Sequence, residues 1–277
     1  MASIPAAGRR APVRDDLAQR VQRPLTGVHQ VAVVSLKGGV GKTTTAALLG
    51  LALTEHRSDR VIALDSTPVG GTLADRLLGG TGATIRDLLD QYEHVGTWHD
   101  LRRYTGAVGR LQVLASDQDL ARNLPLSSVE YEKVCQLLRR HYNVIITDGA
   151  TGMANPAMAA TLAFAHSIVV VGSLTVDGAG RASKTLDWLN AHGYRSAAAR
   201  AVLVLDGDRA SGDIDAVRLQ AHFNARCRAV VELPHDPHLA QGGRIEPAAL
   251  RPATREAALE LAALVADEFG LVTAGRG

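Results

Sequence analysis

Short apolar runs recur along the chain, each closed by a turn residue or a carboxylate and followed by a longer stretch with helical spacing. Val31 to Val34, Arg60 to Asp65, Leu111 to Ala115, Asn143 to Asp148, Ser167 to Val171 and Ala201 to Asp206 read as buried strands. Between them, Ala46 to Leu53, Ile85 to Leu89 behind the cap Thr84, Ser127 to Tyr142, Gly178 to His192 and Ala253 to Phe269 read as helices. Tyr131, Val134, Cys135 and Leu138 recur at helical spacing and are expected in the core. This alternation predicts one α/β domain, doubly wound, with a mostly parallel sheet flanked by helices and a ligand site at the carboxyl ends of the strands. The stretch through Tyr92, Trp98 and Tyr104 keeps neither period and is expected to be a surface insertion.

The pattern begins only near Gln30. Residues 1–29 are rich in Ala, Pro, Gly and Arg and predict a flexible basic arm, leaving 30–277 as the domain. Such an arm suits DNA, an acidic lipid surface or a protein partner as well as it suits solvent. Across 277 residues, 30 basic and 28 acidic side chains nearly cancel to a net charge of +2, so bulk charge announces no nucleic-acid partner and leaves a local basic patch open. Cys135 and Cys227 lie far apart without a CxxC pattern and read as buried, reduced thiols of a cytoplasmic protein. No apolar stretch reaches the roughly 18 residues that span a bilayer, and no signal-peptide pattern opens the chain.

Chemistry concentrates where the first strand ends, at Lys37-Gly38-Gly39-Val40-Gly41-Lys42-Thr43-Thr44. Strand, glycine-rich loop and helix in that order make a phosphate-binding loop. The glycines let the N–H groups of Gly38 to Gly41 turn towards one oxyanion, and the following helix adds the positive end of its dipole. Lys42 is then placed to reach the outer phosphates, and the Thr43 hydroxyl to hold a magnesium ion. A second element agrees: the strand ending in Asp148 supplies a carboxylate that holds magnesium through water, and Gly149 and Gly152 follow as a flexible switch. No Asn-Lys-x-Asp guanine-reading motif occurs, so ATP is expected rather than GTP. His235 and His238 lack further ligands at metal spacing and read as loop histidines.

Leu36 stands where the general phosphate loop has Gly, and Lys37 is an additional lysine at the loop's start. This combination resembles the deviant Walker A loop of the ParA/MinD family of ATPases, and the resemblance extends over almost everything after the arm. More narrowly, Ser35-Leu36-Lys37-Gly38-Gly39, Asp65-Ser66-Thr67-Pro68, Thr147-Asp148-Gly149 and Leu233-Pro234-His235-Asp236-Pro237-His238 resemble the actinobacterial MinD-like ATPases associated with type VII secretion. The iron–sulfur relatives of that superfamily carry cysteines near the nucleotide switches, which this chain lacks.

The resemblance implies an ATP- and magnesium-dependent homodimer in which Lys37 reaches the partner's nucleotide and Lys42 its own. It matches Asp65 to the first acid of an acidic-x-acidic pattern, in a magnesium-shell or water-relay role. Thr67 stands where the second acid would orient the attacking water, so hydrolysis is expected to be slow. Pro234 and Asp236 are implied beside the adenine, with Asp206, where relatives often carry Asn. The implied output is a switch that positions or regulates a protein machine, secretion-linked by the narrower resemblance. Two alternatives stand beside it: a DNA-partition ATPase gripping non-specific DNA through residues such as Arg181 and Lys184, and a hydrolysis-deficient nucleotide-binding scaffold. The last helix carries Glu256, Glu260, Asp267 and Glu268 and is followed by residues 271–277, unlike the basic membrane-docking tail of MinD; a membrane partner is not expected.

Overall fold

The computed structural model describes residues 10–68, 70–80, 82–119, 125–150, 152, 156–207 and 216–270. Its strands are β1 (His29–Val34), β2 (Val61–Asp65), β3 (Gly106–Val108), β4 (Leu111–Leu114), β5 (Val144–Asp148), β6 (Ser167–Ser173), β7 (Val202–Asp206) and β8 (Ala229–Leu233). Its helices are α1 (Arg10–Val21), α2 (Lys42–His56), α3 (Leu73–Leu78), α4 (Ile85–Asp90), α5 (Trp98–Leu101), α6 (Ser128–Arg139), α7 (Pro156–Phe164), α8 (Val176–Ala191), α9 (Arg195–Arg200), α10 (Ala216–Asn224), α11 (Pro237–Ala240) and α12 (Pro252–Ala266).

The strands form one 8-stranded sheet in the order β3-β4-β2-β5-β1-β6-β7-β8, parallel throughout except for the β3–β4 edge pair. Helices cover both faces, so the strands are apolar on both sides, as the continuous Val, Ile and Leu runs require. One face packs on α1, α2, α3 and α12 through residues such as Leu49, Leu53, Leu261 and Val265; the other carries two clusters, around α8 and around α6. β5 lies between β2 and β1 in register, which sets Asp148 level with Asp65 and with Val33. Three loops therefore leave the same rim of the sheet. The doubly wound, mostly parallel expectation holds, and Tyr131, Val134, Cys135 and Leu138 are buried as expected, as is Cys227. Among the described residues no helix is long and apolar enough to cross a membrane.

The basic arm requires correction. Residues 1–9 lie outside the described residues, but Arg10–Val21 is helical, and its Leu17 and Val21 are buried in the same cluster as α12. Arg20 and Arg23 each reach Asp267, at 2.6 Å, just beyond the end of α12. Two apolar residues one turn apart make only a narrow stripe, and its covering helix lies at the far end of the sequence. The domain thus includes this helix. The stretch through Tyr92, Trp98 and Tyr104 is likewise part of the fold: Val95 and Leu101 are buried, and the chain then enters the antiparallel edge strand β3. Residues 271–277 lie outside the described residues.

Candidate functional site

β1 delivers the chain to the glycine loop, and the loop hands it to α2. Ser35 pins the turn by donating its hydroxyl to the Lys37 carbonyl at 2.6 Å. Gly41, the residue capping α2, has φ 91°, a left-handed conformation natural to glycine. A Cβ there would stand 2.1 Å from Oδ2 of Asp206, so the loop also needs the space. Lys42 is the first residue of α2 and is buried. Burial lowers the pKa of its ammonium group, and the carboxylates of Asp148 and Asp65 oppose that shift.

Those two carboxylates face each other across the β2–β5 ladder. Asp65 accepts from the N–H groups of Thr67 at 3.0 Å and Leu73 at 3.2 Å. Burial raises its pKa, and these bonds oppose the rise. Asp148 accepts the Thr43 hydroxyl at 2.6 Å on Oδ2, while its Oδ1 is buried without a partner. Burial first, and the neighbouring Asp65 second, push Asp148 up to about 7; Thr43 and Lys42 act against the rise. A hydroxyl and a carboxylate oxygen with unspent lone pairs form a hard donor set that fits magnesium, an ion that takes few protein ligands beside water and phosphate. Close by, Gly71 lets the chain pass: a Cβ on it would lie 2.2 Å from both Asp65 Oδ2 and Ser116 Oγ.

A second, small pocket opens beside the loop, lined by Thr44, Asp206, Leu233, Pro234, Asp236 and Leu239. Asp236 caps α11 and spends its carboxylate on the N–H of His238 at 2.9 Å, the N–H of Arg251 at 2.8 Å and the Thr254 hydroxyl at 2.7 Å. Burial would raise its pKa, yet these donors outweigh burial and lower it.

The CobQ/CobB/MinD/ParA nucleotide binding domain matches residues 31–220. The chain belongs to that family. The ESX-1 secretion-associated protein EspI of Mycobacterium tuberculosis is 38% identical over 258 residues, which is 92% of this chain and 39% of EspI. This chain therefore spans about two fifths of that relative's length. Among solved structures, a ParA family ATPase from Chlorobium tepidum TLS superposes with a TM-score of 0.67 at 18% identity, over 78% of this chain and 87% of its own. The septum site-determining protein MinD complexed with Mg-ADP from Pyrococcus horikoshii OT3 does so at 0.65 and 22%, over 85% and 94%. At those identities the structures speak for the fold.

In this ParA/MinD-family chain the fold gathers Lys42, Thr43, Asp65 and Asp148 at one point and places Thr44, Asp206 and Pro234 beside it. Asp236 lines the same pocket, but its carboxylate is committed to the α11 and α12 starts. Lys37 stands apart, half-exposed and paired with Asp177 of α8 at 3.3 Å; Asp177 also accepts from Arg181 at 2.9 Å. Thr67 gives its N–H to Asp65 at 3.0 Å. Of the switch following Asp148, Thr151 lies outside the described residues. His238 accepts the N–H of Glu246 at 2.8 Å through Nε2, and no cluster of metal-binding side chains occurs among the described residues.

Arg76 escaped the sequence reading. Buried on α3, it donates to the Thr44 hydroxyl at 3.3 Å and to the carbonyls of Leu239 at 3.2 Å and Gly243 at 2.7 Å, tying α3 to the second pocket. Its only signal is one arginine inside Leu73-Ala74-Asp75-Arg76-Leu77-Leu78.

Proposed function

We propose that this chain binds ATP with magnesium at the glycine loop and acts as a slowly hydrolysing, dimeric nucleotide switch for a protein machine. The observation that carries this reading is the convergence of Lys42, Thr43, Asp65 and Asp148, with one Asp148 oxygen unspent. In this mechanism the backbone N–H groups of Gly38 to Gly41 and the start of α2 hold the phosphates, and Lys42 balances charge on the outer ones. Thr43 and, through water, Asp148 hold the ion; when bound, magnesium neutralises phosphate charge. Thr44, Asp206 and Pro234 border the base, and Asp65 orders the loop that runs from Thr67 to Leu73.

Lys37 is proposed to serve the partner subunit's nucleotide. The Lys37–Asp177 pair is exposed and screened by solvent, so a nucleotide phosphate readily draws the lysine away. ATP then stabilises the dimer because it binds that form preferentially. The similarity to EspI directs the output towards secretion. Arg181 shares Asp177 with Lys37 in an equally exposed pair, so a competing phosphate can draw it away as well. A second reading, a hydrolysis-deficient scaffold, is favoured by Thr67, which supplies no carboxylate where a second acid would orient water.

One titration series tests the proposal, with calorimetry for ATP–magnesium binding and light scattering for mass. Lys42→Ala is expected to weaken binding about a hundredfold; retained affinity refutes the loop assignment. Lys37→Ala is expected to bind ATP and stay monomeric, and an unaltered ATP-dependent dimer removes its role across the interface.

A further inference from the structure

At the opposite end of the sheet from the glycine loop, the chain carries a basic surface that nucleotide chemistry does not use. Arg60 immediately precedes β2, and Arg140 and His141 lie between α6 and β5. The two strand starts are joined, because Asn143 N–H donates to the Arg60 carbonyl at 2.9 Å. Trp98, at the start of α5, collects two guanidiniums: those of Arg60 and Arg102 lie over its ring at 4.5 and 5.0 Å from the centroid. The strands between the two ends have five residues each, about 16 Å of extended chain.

These arginines stand without carboxylate partners. Elsewhere Arg20 and Arg23 meet Asp267, Arg181 meets Asp177, and Arg226 meets Asp187. Arg60, Arg102, Arg139 and Arg140 are exposed and have no ion pair among the described residues. Two acids close by in sequence are engaged: Asp59 pairs with Arg57, and Asp100 takes the N–H and hydroxyl of Thr97 at 3.0 and 2.7 Å. The crowding of positive charge registers on His141, whose pKa is lowered by burial and then by Arg60 and Arg140.

We propose that Arg60 and Arg102, stacked on Trp98, form with Arg140 beside His141 a docking surface for an acidic segment of a partner protein. A guanidinium stacked on an indole keeps its in-plane N–H fork free, and that fork matches a carboxylate with two parallel bonds. The indole is already occupied by guanidiniums and is not a platform on which a nucleic-acid base would stack. A lipid surface would need apolar residues to insert, and the exposed large ones among the described residues, Val129, Val176 and Val217, belong to α6, α8 and α10 at positions outside the cluster. Facing away from the glycine loop, the surface stays open whichever nucleotide state the other end adopts. The inference does not depend on nucleotide binding.

The test is fluorescence anisotropy of a labelled oligo-glutamate peptide with the full chain at low and physiological salt. The native chain is expected to bind. Arg60→Glu with Arg102→Glu should weaken binding about tenfold or more, whereas Arg195→Glu, an exposed charge reversal on α9, should leave it unchanged. Trp98→Leu keeps every charge and is expected to weaken binding about threefold through loss of guanidinium ordering. Thermal unfolding of each variant checks integrity, and Arg60→Gln with Arg102→Gln provides a milder pair that must weaken binding in the same direction. Absence of binding by the native chain overturns the proposal, as does an equal loss in Arg195→Glu. It is overturned too if duplex DNA or phosphatidylglycerol vesicles bind in an Arg60- and Arg102-dependent way and the peptide does not.

Discussion

Two buried aspartates, each 1% exposed, stand in opposite electrostatic states. Asp236, before α11, receives two backbone N–H groups and one hydroxyl, and its pKa falls. Asp148, at the end of β5, receives one hydroxyl, faces the carboxylate of Asp65, and is pushed up to about 7. Burial alone therefore does not decide the charge state of a carboxylate; the supply of donors does. The saturated site ties the start of α11 to that of α12, and the deficient one keeps an oxygen without a partner.

Adding a carboxylate to the deficient cluster sharpens this contrast most. Thr67→Asp is expected to raise ATP turnover by roughly 10²–10⁴-fold, the usual worth of general-base assistance, measured by phosphate release. Unchanged turnover would show that the missing acid is not limiting. Next in size is Asp236→Ala, which strands three donors and should lower unfolding stability by about 3 kcal/mol in urea titrations. A loss below about 1 kcal/mol would refute its role as a structural carboxylate.

Asp148→Asn should do the reverse. It keeps an acceptor for Thr43 and removes a like charge beside Asp65, so at pH 8 the nucleotide-free chain is expected to gain about 1 kcal/mol. The pH dependence has a definite sign. Asp148 is raised from an unfolded value near 3.9 to about 7, so the folded state holds the extra proton and stability falls as pH rises through that window. Asp236, with its pKa lowered, contributes stability above its unfolded value and loses it as the pH falls through the folded one. Unfolding curves between pH 4 and 8 should therefore flatten in Asp148→Asn; a slope unchanged from the native chain would contradict the raised carboxylate.

Much of the site was legible because its signals are local. The strand, glycines, Lys42 and Thr43 are contiguous, and Asp65 and Asp148 each end an apolar run, so the parallel pairing of β2 and β5 suffices to bring them level. What stayed hidden depends on distant partners. Asp236 reads as a pocket residue until Arg251 and Thr254, 15 and 18 residues on, appear as its donors. The helix Arg10–Val21 reads as an arm until Asp267, 247 residues from Arg20, is placed beside it. Lys37 has the same lesson: its pairing with Asp177 crosses 140 residues. Periodicity finds elements, and only packing says which polar groups spend their bonds on each other.

The close passage at Gly71 has a genetic consequence. Its neighbour Gly70, at φ 62° with open space around it, is constrained only in backbone, and residues that accept a left-handed turn, Asn foremost, can stand in for it. Gly71 is constrained by volume: the atoms in the way are the carboxylate of Asp65 and the hydroxyl of Ser116. Alleles at the two positions should behave differently, one complemented by residue choice at the same codon and the other only by a second-site change. Shrinking Ser116 relieves only one of the two contacts and leaves the Asp65 carboxylate 2.2 Å away, so a suppressor of a Gly71 allele has to move the carboxylate cluster itself.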